Sequence, residues 1–216
     1  MRKLLLALAG CAATLGASTR ATAAEPSRDR TWGGVTAATA VAAVTVGLAM
    51  PRMFYAGAEV TGGFHARWHV SQLAPVMTIA TLAFVNENFL KAKVAGPRPG
   101  CDDTNAGGPG CTDFGAPSTH AFVAGSTLGH GLAVFFIDTT KWSDGNVSGA
   151  SVVGNILVPL ILGGFTLGGR AQGNFETGGQ LAAGATVGLG VGILTGLVYS
   201  TMAKPECGYL GGVICW

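Results

Sequence analysis

The stretch "APSTHAFVAGSTLGHGLAVFFI", residues 116–137, decides the fold. It contains no Asp, Glu, Lys or Arg. A helix needs roughly 20 predominantly apolar residues to cross a bilayer, so the stretch predicts a membrane span. Its first turn carries Pro117, Ser118, Thr119 and His120. There a helix offers unpaired N–H groups and the positive end of its dipole, which together make an anion site. Ser118 can donate through its hydroxyl, and His120 can act as an acid toward a bound phosphate. The plainer alternative, a helix-capping serine beside an interfacial histidine, stays open on these four residues alone.

Moving outward, uncharged stretches of similar length cover residues 31–51, 68–86, 114–137, 145–169 and 177–203. Charged residues are 11% of the chain and mean hydropathy is +0.44, against about 25% charged in ordinary soluble domains. The expected fold is all-α, a bundle of five apolar, membrane-spanning helices forming one domain over residues 25–216. A soluble bundle with very apolar core helices is the alternative. The 35 glycines are not randomly placed. Gly184, Gly188, Gly192 and Gly196 recur every four residues in the last stretch and predict a smooth face for close helix packing. A formal net charge of +2 with scattered cations excludes a nucleic-acid partner.

The N-terminus has the form of an export signal over residues 1–24. Arg2 and Lys3 precede an apolar run, and "ATAAE", residues 21–25, is a small-residue exit that suits cleavage near Ala23 or Ala24. "LAGC", residues 8–11, also resembles a lipoprotein box, but it would leave a short apolar region. Export starts the first span outside the cytoplasm and brings the second and fourth connections out on that side, with the site facing the periplasm of a bacterial-type inner membrane. The Lys and Arg distribution does not independently support this orientation. Cys101 and Cys111 can close the second connection in an oxidising compartment, whereas Cys207 and Cys215 fall on the inner side. No Cys or His spacing suggests a metal, and no cofactor is expected.

In "KAKVAGPRPG", residues 91–100, Lys91 is followed by six residues and then Arg98-Pro99, which predicts two cations just past a helix end. Lys91-x6-Arg98-Pro99, then Pro117-Ser118-x-His120 opening a helix, then Arg170 before the last helix resembles the phosphatidic acid phosphatase and vanadium haloperoxidase superfamily. The resemblance runs from about Asn86 to Gly184. It implies a phosphate clamp of Lys91, Arg98 and Arg170, with Ser118 and the backbone around Thr119 as neutral donors and His120 as general acid. The substrate it implies is a phosphomonoester or pyrophosphate on a phospholipid or polyprenyl phosphate.

The last motif departs from that pattern. "GRAQGNFETGGQLAAG", residues 169–184, puts Glu176 and Gln180 where the family has its nucleophilic His and orienting Asp. Thr119 also stands where the family has Gly. Three readings follow. Glu176 is itself catalytic, as a nucleophile or as a base on water. Glu176 fills the clamp and leaves a non-catalytic membrane protein that binds phosphate headgroups weakly or not at all. Or the helices are a scaffold and the polar residues are remnants. Haloperoxidase chemistry is disfavoured, because vanadate in that branch is held by the missing histidine.

Overall fold

The structure is a computed structural model, in which residues 30–48, 68–69, 73–101, 111, 114–202 and 214–215 are described. The signal segment, His65 and Cys207 lie outside the described residues. The described chain is all-α apart from one short parallel ladder that pairs β1 (Trp68–His69) with β2 (Ile214–Cys215). Four helices are long and apolar enough to cross a membrane: α2 (Leu73–Val94), α3 (Thr119–Trp142), α4 (Gly149–Gln172) and α5 (Gly178–Met202). The fifth, α1 (Thr31–Gly47), is apolar but only 17 residues long.

The helices do not end where the apolar runs end. Expected to stop near Asn86, α2 continues through Asn86–Leu90 as a π-turn and closes at Val94. A polar stretch extends the helix because its backbone bonds stay internal. The Lys91 N–H donates to the Asn86 carbonyl, and Glu87 and Lys91 form an ion pair one turn apart. Lys91 therefore sits inside α2, not just past its end as the sequence predicts. Similarly α3 runs on to Trp142, where Lys141 Nζ and Trp142 Nε1 donate to the carbonyls of Thr201 and Ser200 at the end of α5. Two carbonyls in the last turn of α5 thus accept from the neighbouring helix.

The bundle centres on α3, whose largest contact is with α5. The four predicted glycines of α5 form that contact. A Cβ on Gly184, Gly188 or Gly192 would overlap the carbonyl of Ser118, Phe122 or Ser126. Gly125 and Gly129 of α3 meet the backbone of α5 in the same way. Buried polar side chains in the bundle include Thr36, Thr127, His130, Asn155 and Thr166. Leu48, Ile79 and Phe122 form a small buried apolar cluster, but many large apolar side chains point outward: Met77 is 62%, Phe84 61%, Phe165 57% and Leu194 65% exposed. This pattern suits a bundle surrounded by hydrocarbon, where close backbone approach and internal hydrogen bonds hold helices together. In water the same surface would be a large exposed apolar patch, which argues against the soluble alternative.

Gly190, on the same helix, has nothing within 4 Å of its Cβ position. Alanine at Gly188 or Gly192 is expected to destabilise the detergent-solubilised protein by about 1–3 kcal/mol through overpacking. Alanine at Gly190 should be neutral or stabilising by up to about 1 kcal/mol. Thermal unfolding of the three variants measures the contrast, and equal midpoints would contradict this packing.

Candidate functional site

The site lies where the 95–118 and 173–177 connections meet the first turns of α3 and α5. At the end of α2, Ala95 takes a left-handed conformation (φ 48°) and its N–H returns to the Lys91 carbonyl at 2.9 Å. The chain then runs beside residues 115–116, with Gly115 N–H donating to the Gly96 carbonyl at 2.9 Å. Gly96 is needed for this approach, since a Cβ there would lie 2.6 Å from the Ala116 Cβ. Beyond it, Arg98 is carried inward and the Cys101–Cys111 disulfide closes the distal part of the loop.

Ser118 caps α3. Its backbone is extended and its Oγ accepts from Ala121 N–H at 3.2 Å. The capping reading of this residue is therefore met at that atom. The Thr119 side chain turns toward α2: its Oγ1 accepts from Asn86 Nδ2 at 2.8 Å, and it also bonds Glu87. Asn86 and Lys91 are both buried although five residues apart. An α-helix would put them on different faces, and the π-turn between them restores a shared one.

The centre of the site is an ion pair. Glu176, only 3% exposed, accepts from Arg170 Nε at Oε2 and from Arg170 Nη2 at Oε1, both at 2.7 Å. This two-bond fork is the strongest geometry available to an arginine and a carboxylate. Arg98 approaches the same Oε1 at 3.6 Å and donates from Nη1 to the Phe175 carbonyl at 2.9 Å. The Phe175 ring lies 4.3 Å from the Arg170 guanidinium and packs against Gly33 of α1. Lys91 is spent on Glu87 at 2.7 Å. His120 stands within electrostatic reach of Lys91, Glu87, Arg170 and Glu176, and its Nδ1 is buried without a hydrogen-bond partner among the described residues.

Of the residues singled out in the sequence, Arg98, Arg170 and Glu176 are in contact, His120 lies within electrostatic reach of Lys91, Arg170 and Glu176, and Ser118 caps α3. Sequence reasoning missed Asn86, Glu87 and Phe175, and it treated Gln180 only as a missing aspartate. Gln180 forms a capping box with Thr177: Thr177 N–H donates to Gln180 Oε1 at 2.9 Å, and Gln180 N–H donates to Thr177 Oγ1 at 3.3 Å. Thr177-x-x-Gln180 is a readable signal for that box, although nothing in it foretells the further bond from Gln180 Nε2 to the Pro97 carbonyl at 2.6 Å. Among the described residues no group of His, Cys, Asp and Glu could hold a metal ion.

No family model, curated protein or solved structure matches the chain. The site's own geometry must carry the functional argument.

Removing one member of a buried pair strands the other. Glu176→Ala is expected to cost about 3–5 kcal/mol of stability. The double variant Arg170→Met/Glu176→Met should recover much of that loss, because neither charge is left unpaired. Chemical denaturation in detergent checks both, and additive losses would show that the pair is not coupled.

Proposed function

We propose that this chain is a phosphatidic-acid-phosphatase-like membrane protein whose phosphate clamp is filled from within, so that it serves as a non-catalytic membrane scaffold and not as a phosphatase. The observation that carries this reading is the carboxylate of Glu176 seated on Arg170 through both oxygens. Phosphoryl transfer needs cations free to hold the phosphoryl oxygens and a nucleophile free to approach in line. Here Arg170 is occupied by Glu176 and Lys91 by Glu87, while the Glu176 oxygens that would attack phosphorus are already accepting. Gln180 cannot take over the orienting role of a carboxylate, because its acceptor oxygen serves Thr177 N–H. His120 keeps a general acid's position with no reaction to serve.

The same reading places the site on the outer face of a bacterial-type inner membrane, where it would meet phospholipid or polyprenyl phosphate headgroups. Two features support this placement. The N-terminal segment has the form of an export signal. Cys101 and Cys111 are joined at a Cα–Cα distance of 5.6 Å, as befits an oxidising compartment. The β1–β2 ladder gathers the connection before α2 and the tail after α5 at one end, as the four crossings between them require.

Two measurements test the proposal. Purified wild type should release no phosphate from a detergent-dispersed lipid phosphate or a generic phosphate ester beyond that seen with His120→Ala or Glu176→Gln. Release by wild type that both substitutions abolish would instead establish an enzyme with a carboxylate in the histidine's place. For the placement, thiol labelling of the denatured exported protein should modify Cys101 and Cys111 only after reduction. Labelling without reductant would put that loop on the cytoplasmic side.

A further inference from the structure

Gln180 touches three of the segments that build the site. Its Nε2 donates to the Pro97 carbonyl at 2.6 Å, one residue before Arg98. Its Oε1 accepts from Thr177 N–H at 2.9 Å, one residue after Glu176. Its own carbonyl accepts from Ser118 N–H at 3.3 Å, at the cap of α3. The side chain is nearly enclosed, at 8% exposure, and leaves no room beside it: a Cβ on Gly115 would lie 2.6 Å from Oε1 and 2.8 Å from Nε2.

We infer that Gln180 is the positioning residue that keeps the site shut, by clasping the Pro97–Arg98 segment against the 175–180 segment independently of the Arg170–Glu176 pair. The inference rests on the filled-clamp reading above and adds a second lock to it. A tetrahedral oxyanion is bulkier than the planar carboxylate that now occupies the arginines. Removing the carboxylate charge frees Arg170, but the Pro97 clasp still holds Arg98 down on the Phe175 carbonyl. The clasp is two hydrogen bonds from one amide, with backbone groups at both ends. It therefore responds to loss of the amide and not to changes in site charge. Entry of an oxyanion requires both locks to be released.

The test is binding of orthovanadate and of inorganic phosphate to the purified, detergent-solubilised full chain, by calorimetry and by the shift in thermal midpoint. Wild type and Gln180→Met should show no saturable binding, and Glu176→Gln only weak binding. The double variant Glu176→Gln/Gln180→Met should bind at least tenfold more tightly than Glu176→Gln. Thr177→Val in the Glu176→Gln background breaks half of the capping box but spares the Pro97 clasp, so it should leave affinity unchanged. An equal gain from Thr177→Val would mean that Gln180 acts only as a helix cap. If the Met variant does not fold, Gln180→Asn keeps an amide one methylene too short to reach Pro97 and replaces it. Equal affinity of Glu176→Gln and the folded double variant overturns the second lock while leaving the filled clamp intact. A folded double variant that binds neither anion overturns the phosphate-site reading itself.

Discussion

Arg170 ends α4 with its guanidinium enclosed by protein, and a charge in that position must find a counter-charge or destabilise the fold. Glu176 supplies it from six residues downstream, across a linker that has to bend back to bring it there. The bend fixes the rest. Asn174 takes a left-handed conformation at φ 55°, which Asn tolerates better than most residues, and Phe175 N–H returns to the Arg170 carbonyl at 3.1 Å. That turn lays the Phe175 ring over Arg170 and presents the Phe175 carbonyl to Arg98. It also gives α1 its docking surface, since Phe175 packs on Gly33 while Trp32 and Thr36 pack on Gly169. One pair of charges thus organises the linker, the preceding loop and the shortest helix.

The pair could not be reached by Arg98 or flanked by Ser118 without the glycine face of α5. Backbone contact between α3 and α5 puts the cap of α3 directly beside the first turn of α5, which is why Ser118 N–H finds the Gln180 carbonyl. Bulkier residues at Gly184 would separate those two helix ends and open the gap between them. In a bilayer this economy of volume also provides cohesion, because lipid tails offer no hydrophobic drive to squeeze helices together. The packing that holds the bundle and the geometry that closes the site therefore share the same residues.

Much of this was legible in the chain. Uncharged runs marked the helices, the four-residue glycine period marked the α3–α5 contact, and the serine at 118 was readable as a cap. Boundaries were not, because hydropathy reports where a helix can lie in lipid and not where its backbone bonds stop. The stretch Asn86–Leu90 looked like the start of a connection, but its π-turn needed only an i→i+5 bond to continue the helix. The same turn hid the shared face of Asn86 and Lys91, since a spacing of five belongs to neither helix nor strand patterns. For the site, sequence could place Glu176 among cations but could not say whether it would attack, bridge or be idle. That depended on an orientation set by Phe175 and Gly173, whose part is visible only once the linker is folded.

On the proposed reading, the two positions where the last motif departs from the family it resembles make sense together. A nucleophilic histidine with an orienting acid is a poised arrangement, in which at least one polar atom must remain uncommitted until substrate arrives. In this chain Glu176 and Gln180 have both become committed: the carboxylate to Arg170, the amide to Thr177 and Pro97. Lys91 follows the same rule through Glu87, and Thr119 through Asn86. Of the inferred catalytic set, His120 alone keeps a buried ring nitrogen without a hydrogen-bond partner among the described residues. Sites built for chemistry leave reactive groups unsatisfied at some cost in stability, whereas groups released from that task gain by pairing. On the proposed reading, the pattern of pairing here follows the second course, and His120 Nδ1, without a hydrogen-bond partner among the described residues, is where a catalytic arrangement would be left uncompensated.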